Sequence, residues 1–377
     1  MSRSAPNPPS PGGSRSDAST RNSSRPLWSR RGVLGLGGGG LLLMGAGGLL
    51  SRFPLKGVFT EHPDGSPPSG LQRFTGEREA MGTRAALIVG HDTPEVAHAA
   101  MKSAFEAIAA VERRMSRFLP DSDVGRLNHA PGISQEVHPD TALVLRQALA
   151  YARAADGRFD PCLEAPSILW GFLDHNPPAT LPTPARLKRL VGNGAWRTLR
   201  DESEDMAGGP PHGFRLTRPD VGIDLGGIAK GYAVDRAAEA LLAAGIEQAV
   251  VNVGDDLRVL GGAPEGGPWR IGVRHPRKPQ ALLTLLEVRD SAVATSGDYA
   301  NAFIRDGRRY AHLLDPATGG PARGHRSMTV QAATAMAADT LATAAFTATP
   351  AQAPPLLKRL GATSWLGVDA QGTVYRG

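Results

Sequence analysis

The chain has 377 residues, 41% of them hydrophobic, with one cysteine and a formal net charge of +6. That is apolar material for one large core or two modest ones, while a lone thiol, Cys162, excludes an internal disulfide and a cysteine-ligated metal cluster. Much of the positive excess lies in the N-terminal segment, where Arg3, Arg15, Arg21, Arg25, Arg30 and Arg31 face a single acidic residue, Asp17. The basic balance therefore gives no case for nucleic acid binding, and no basic stripe with interleaved aromatics supports one.

Residues 1–27 are rich in Ser, Pro, Gly and Arg, too polar to bury a core. Ser29-Arg30-Arg31-Gly32-Val33-Leu34 then opens a glycine-diluted apolar stretch that runs to Leu50 and is followed by Arg52. The pattern is similar to a twin-arginine export signal. A single membrane anchor is the alternative, since the apolar length is marginally sufficient to span. Residues 1–53 are thus read as signal or anchor, 54–72 as linker and 73–377 as the folded domain. The expected location is extracytoplasmic or periplasmic, attached to the inner membrane if the segment is retained.

In the folded part, residues 83–90 form a β run, and 94–118 carry Ala97, Met101, Phe105, Ile108, Val111 and Met115 at helical spacing. A polar turn leads to a second helix over 139–156, stopped by Gly157; irregular and proline-rich segments follow to residue 186. "GFRLTRPDVGIDLGG" (213–227) reads as two strands around a turn, with a helix from Lys230 to Ala244 after them. Strands are expected over 248–262, 268–276, 282–297, 308–322 and 327–334, a helix over 336–349 and a closing hairpin over 363–377. Short turns between successive strands argue for an α+β fold with mainly antiparallel sheets and flanking helices, rather than a doubly wound parallel one.

Three stretches carry chemistry. In "GIDLGGIAKGYAVD" (222–235), glycines at a helix start expose backbone N–H groups to an anion and Lys230 adds charge. It is neither G-x-G-x-x-G nor a P-loop, and an ordinary strand-to-helix turn remains the alternative. Asp339 and Thr343 stand four apart in an alanine-rich helix, so both oxygens leave one face. They suit a hard cation such as Mg²⁺, or else a helix cap and a back-bonded hydroxyl. "ATSGDYANAF" (294–303) and "YAHLLDPATGGP" (310–321) end strands in polar turns. There His312 is a candidate base.

These stretches, "IDLGGIAKGYAVDRAAEALLAAGIEQAVVNVGDDLRVLGG", "ATSGDY", "HLLDPATGGP" and "ADTLATAAF", together with "AMGT", "MSRFLPDSDVGRLN" and "GRFDP" upstream, resemble the ApbE-type flavin transferase family from about residue 74 to the C-terminus. The resemblance implies a T-fold-like, two-lobed single catalytic unit. It also implies a Mg²⁺-dependent transfer of FMN from FAD to a Thr or Ser hydroxyl of a target protein with release of AMP; some relatives mainly hydrolyse FAD. By the same resemblance Gly227 (through its carbonyl), Asp339 and Thr343 would ligate Mg²⁺. Met81, Phe118, Arg158, Phe159, Asp160, Asp224 and Lys230 would line the FAD site, with Ser296, Gly297, Asp298, His312 and Leu314 beside it. The target would carry a D-x-x-[ST]-G-A-[ST]-like motif, which "DPATGG" around Thr318 loosely echoes. Two positions depart from the family pattern: Cys162, where threonine is usual, and Asp255, where a second glycine is common. A non-catalytic exported FAD-delivery protein is the competing reading, separated from the enzyme only by Asp339 and Thr343. A nicotinamide dehydrogenase built on 222–256 is disfavoured by its glycine spacing.

Overall fold

A computed structural model describes residues 41–44, 71–203 and 212–377. In chain order they form β1 (Leu41–Met44), β2 (Gln72–Ala80), β3 (Thr83–His91), α1 (Pro94–Met115), α2 (Asp123–His129), β4 (Gln135–Glu136) and α3 (Pro139–Ala154). Next come α4 (Glu164–Leu169), α5 (Pro184–Val191), β5 (Leu199–Asp201), β6 (Gly213–Leu216), α6 (Ala229–Ala243), β7 (Gln248–Val253) and β8 (Asp256–Leu260). The remainder is β9 (Trp269–Arg274), β10 (Leu282–Val288), β11 (Ala292–Gly297), β12 (Ala302–Arg305), β13 (Arg308–Ala311) and β14 (His325–Ala332). It closes with α7 (Ala335–Thr347), α8 (Ala353–Arg359), β15 (Ser364–Asp369) and β16 (Val374–Arg376).

An eight-stranded sheet in the order β16-β15-β14-β11-β8-β7-β3-β2 organises the molecule, and every pairing in it is antiparallel. The two-residue alternation of its strands gives it two faces. Ala85, Leu87 and Val89 of β3, Val251 and Val253 of β7, and Met328 and Val330 of β14 join the large core shared with α1, α6 and α7. Ile88, Val250, Leu257, Val259 and Val293 point the other way, onto Trp269, Ile271 and Val273 of the small β1-β9-β10 sheet. A third cluster, Trp170, Phe172, Leu187, Tyr310 and Leu314, holds the β12–β13 hairpin against α4 and α5.

The α+β reading with mainly antiparallel sheets and flanking helices holds. The second half is more finely divided than its sequence pattern suggested. Residues 248–260 are a hairpin turning at Gly254, whose φ is +68°, and 282–297 are two strands. The expected strand over 221–225 is not one. Ile223 instead pairs with the side chain of Asn128, whose Oδ1 accepts its N–H at 2.7 Å and whose Nδ2 donates to its carbonyl at 3.0 Å. The Asp224 N–H donates to Pro161 O at 2.7 Å and the Glu164 N–H to Gly222 O at 3.1 Å. An amide side chain and a crossing loop thus satisfy backbone groups that a neighbouring strand would otherwise take. The short helices α2, α4, α5 and α8 also escaped the sequence reading, being too short to show a period. Most of the segment assigned to signal and linker lies outside the described residues, and among the described residues no helix is long and apolar enough to cross a membrane.

Candidate active site at the α6–α7 contact

Helix α6 starts where Gly226 and Gly227 let the chain turn in from the Asn128-held segment. Helix α7 starts at Thr334, whose hydroxyl accepts the Ala337 N–H at 3.2 Å. The two helices meet closely because Gly231 has no side chain: a Cβ there would stand 2.2 Å from the Ala335 carbonyl oxygen. Gly227 abuts Thr343 in the same way, with a Cβ placed 2.9 Å from Thr343 Oγ1. Ser296, next to the end of β11, brings its Oγ to 3.3 Å from that hydroxyl. Asp339 lies between, 3% exposed, with its Oδ2 accepting the Gly231 N–H at 3.1 Å.

Lys230 closes the cluster. Its Nζ lies 3.5 Å from Asp339 Oδ2 and forms a shorter ion pair with Asp256, the first residue of β8, which is 2% exposed. Burial opposes the Lys230 charge, but Asp256 and Asp339 outweigh it and hold the ammonium above its ordinary range. Burial, reinforced by the Asp256 charge, pushes Asp339 up to about 7 against the pull of Lys230. Asp256 is likewise raised by burial and partly restored by Lys230. Two buried carboxylates and one ammonium carry an uncompensated negative charge when fully ionised, which a cation relieves.

Among the described residues no three His, Cys, Asp or Glu side chains gather as a ready metal cage. The donors there are instead one carboxylate and two hydroxyls, Asp339, Thr343 and Ser296, with the Gly227 backbone packed against Thr343. That composition fits Mg²⁺ with water and phosphate completing its shell.

The other expected residues fall into an inner and an outer group. Phe159 reaches the same spot, its ring edge 3.3 Å from a Cβ built on Gly227. Asp224 caps the glycine turn through the Gly226 N–H at 2.9 Å and pairs with Arg117, whose guanidinium lies 5.0 Å from the centre of the Phe118 ring. That ring is 64% exposed. His312 is drawn down to about 4, chiefly by burial and further by the charges of Lys230 and Arg117. Its Nδ1 lies 3.2 Å from the Asn301 carbonyl.

Met81 takes a left-handed φ of +52° in the β2–β3 turn, beside the β7–β8 turn where Gly254 contacts Thr83. Arg158 donates to Thr347 O at 3.3 Å and lies 3.7 Å from Asp315. Asp160 accepts the Cys162 N–H at 2.9 Å, and burial pushes its carboxyl up to about 6. Asp298 makes a bidentate pair with Arg277 at 2.6 and 2.5 Å, Gly297 packs under the Tyr299 ring, and Leu314 sits in the aromatic cluster. Contacts of these last residues shape the surrounding turns rather than the α6–α7 cluster itself. Cys162 is buried, and burial raises its thiol well above the ordinary value, so it is packed and unreactive.

The sequence reading missed Asp256 as the partner of Lys230, and with it Arg117 and Asn128. Nothing in the sequence signalled Asp256: in "NVGDDLRV" Asp256 and Arg258 alternate with Leu257 and Val259 as the polar face of an ordinary strand would, and only the structure shows that face covered by α6 and α7.

An antiparallel sheet carrying a helix pair, with two buried carboxylates, a lysine and two hydroxyls at the helix contact, defines an α+β protein with a buried polar cluster between α6 and α7. The ApbE family model matches residues 81–365, and the chain belongs to the ApbE family. It is 33% identical over 242 residues to the FAD:protein FMN transferase of Haemophilus influenzae, covering 63% of this chain and 68% of that one. It is 34% identical over 262 residues to the protein of that name from Treponema pallidum, covering 66% and 71%. Among solved structures, the ApbE protein of Thermotoga maritima superposes with a TM-score of 0.73 at 30% identity, over 81% of this chain and 97% of that one. The flavin transferase ApbE of Vibrio cholerae gives 0.70 at 26%, over 82% and 97%.

Proposed function

We propose that this chain is a Mg²⁺-dependent FAD:protein FMN transferase that moves FMN from FAD to a threonine or serine hydroxyl of a target protein and releases AMP. The convergence of Gly227, Lys230, Ser296, Asp339 and Thr343 at one helix contact carries this reading. The names of its relatives supply the flavin chemistry. Asp339, Thr343 and the Gly227 carbonyl would hold Mg²⁺, which when bound neutralises charge on a pyrophosphate as a bridging oxygen departs. The N-terminal N–H groups of α6 and the Lys230 ammonium add fixed positive charge on the same side, and Asp256 keeps that ammonium in place.

In the reaction the target hydroxyl oxygen bonds to the phosphorus of the FMN half. The bond from that phosphorus to the bridging oxygen breaks, and AMP leaves with that oxygen. His312 suits the hydroxyl proton. The Asn301 carbonyl can only accept, so the ring hydrogen belongs on Nδ1, which leaves Nε2 with its lone pair. Burial keeps the ring neutral at physiological pH. Export by the twin-arginine-like segment would place the enzyme with target domains outside the cytoplasmic membrane, targets that carry a D-x-x-[ST]-G-A-[ST]-like motif.

Incubation with FAD, Mg²⁺ and such a domain, read by intact mass, tests the proposal. The expected result is one FMN added per target, with AMP released. Free FMN and AMP without labelling would make the chain a hydrolase. FAD bound but unchanged would overturn the enzyme in favour of the delivery protein.

A further inference from the structure

We infer that Asp235 is a positioning residue that sets the register of α6 against α7, and so aligns the two halves of the site. The inference rests on the metal reading given above. Asp235 lies in α6, 6% exposed, and its carboxylate crosses to the other helix. Oδ1 accepts the Ala335 N–H and Oδ2 the Met336 N–H, each at 2.9 Å. These are the first two residues of α7, whose N–H groups have no acceptor in their own helix. A carboxylate there also meets the positive end of the helix dipole. From β8, Arg258 donates to Oδ1 at 2.8 Å and ties the carboxylate to the sheet.

The contacts between the two segments form a ladder with a constant step. Asp235 meets Ala335, Gly231 donates to Asp339, and Gly227 abuts Thr343. Each rung moves four residues back along the α6 segment and four forward along α7, which is one turn on antiparallel helices. The lower two rungs hold the metal donors, and the top rung is a doubly bonded clamp. A slip of one residue at that clamp would turn a helix by about 100° and shift it by about 1.5 Å, separating Thr343 from Gly227. Thr334 caps α7 from within its own segment at a different N–H, that of Ala337, so the bonds from Asp235 are the part of the cap that ties α7 to the other helix.

The experiment uses the full chain and Mn²⁺ as the probe, with binding followed by the loss of the free-ion EPR signal, beside amide exchange at Ala335 and Met336. Asp235→Ala is expected to weaken Mn²⁺ binding about tenfold and to speed exchange at both amides. Asp235→Asn, which keeps the shape and one acceptor oxygen, is expected to weaken binding about threefold. Thr334→Ala removes a cap of similar worth without touching α6, so it is expected to lower thermal stability while leaving Mn²⁺ affinity within about twofold. Wild-type affinity in both Asp235 variants overturns the inference, as does an equal loss in Thr334→Ala. If Asp235→Ala fails to fold, Asp235→Asn against Thr334→Ala decides alone. Undiminished Mn²⁺ binding in Asp339→Ala would overturn the metal reading underneath instead.

Discussion

The two faces of the eight-stranded sheet are made by the same strands and serve opposite ends. On the face toward β9 and β10, Val250, Leu257, Val259 and Val293 are fully buried and apolar, and Ile271 of β9 packs against them. On the face toward α6 and α7, the same β8 presents Asp256 and Arg258, and β11 presents Ser296 next to its end. One face is stabilised by removing apolar area from water, at about 25 cal/mol per Å². The other buries more apolar area, in the core shared with α1, α6 and α7, but sets within it two carboxylates whose protonation equilibria are displaced upward, a local cost unless a cation and an anionic substrate arrive. One face is thus apolar throughout, whereas the other carries the larger core and the charged cluster together.

That difference can be tested from either side. The largest effect is expected for Asp339→Ala: Mg²⁺-dependent FAD turnover falls by about a hundredfold or more, while circular dichroism and thermal unfolding show a folded protein. Retained turnover would remove Asp339 from the metal site. Ile271→Ala, in β9 against the apolar face, should cost about 2–5 kcal/mol in denaturant unfolding and leave FAD affinity unchanged at temperatures where the variant is folded. A selective loss of FAD binding there would show that the faces are coupled.

Gly231→Ala forces a Cβ against the Ala335 carbonyl. It should cost about 1–3 kcal/mol and weaken metal binding together with stability. Lys230→Ala should weaken FAD binding about tenfold in a titration of flavin fluorescence; unchanged affinity would confine Lys230 to its ion pairs.

The smallest effect concerns acid. His312 and His325 are both held below the ordinary histidine value, mainly by burial. Their contribution is fully present above about pH 6.5, where the unfolded chain's histidines are neutral. It is lost as pH falls toward the folded value, about 4 for His312, because the unfolded chain then binds protons that the folded one does not. Melting temperature should therefore drop between about pH 6.5 and pH 4, and the drop should be shallower in His325→Gln.

Much of the apolar face was legible in the sequence, since alternating Val, Ile and Leu in "QAVVNV" and "SMTVQAAT" state their strands directly. So were the long helices: α1 and α3 begin within a residue of their expected starts, at Pro94 and Pro139, and end two or three residues early. The halves of the site were legible separately, as glycines with a lysine and as an Asp–Thr pair one turn apart. Their meeting was not, because it depends on Gly231 being bare where Ala335 arrives, a fact of packing between residues a hundred positions apart. Asp256 was hidden for a similar reason: an acid in a strand reads as an edge or a turn until its lysine is in place. The segment over 221–225 misled because extended backbone has a strand's residue preferences whether a strand or an asparagine completes its hydrogen bonds.

That asparagine has a consequence for how the molecule comes together. In a P-loop the phosphate cradle is a local object, a strand, a turn and a helix that can close as soon as they are made. Here the segment that enters the turn at Gly226 and Gly227 is held at Ile223 by Asn128, ninety-five positions earlier, and Gly227 faces Thr343, more than a hundred positions later. Each of those meetings closes a long loop, and its entropy must be met before the contact rewards it. If this turn holds phosphate as proposed, the cradle cannot close before those distant segments are in place, and flavin binding would report that they have met.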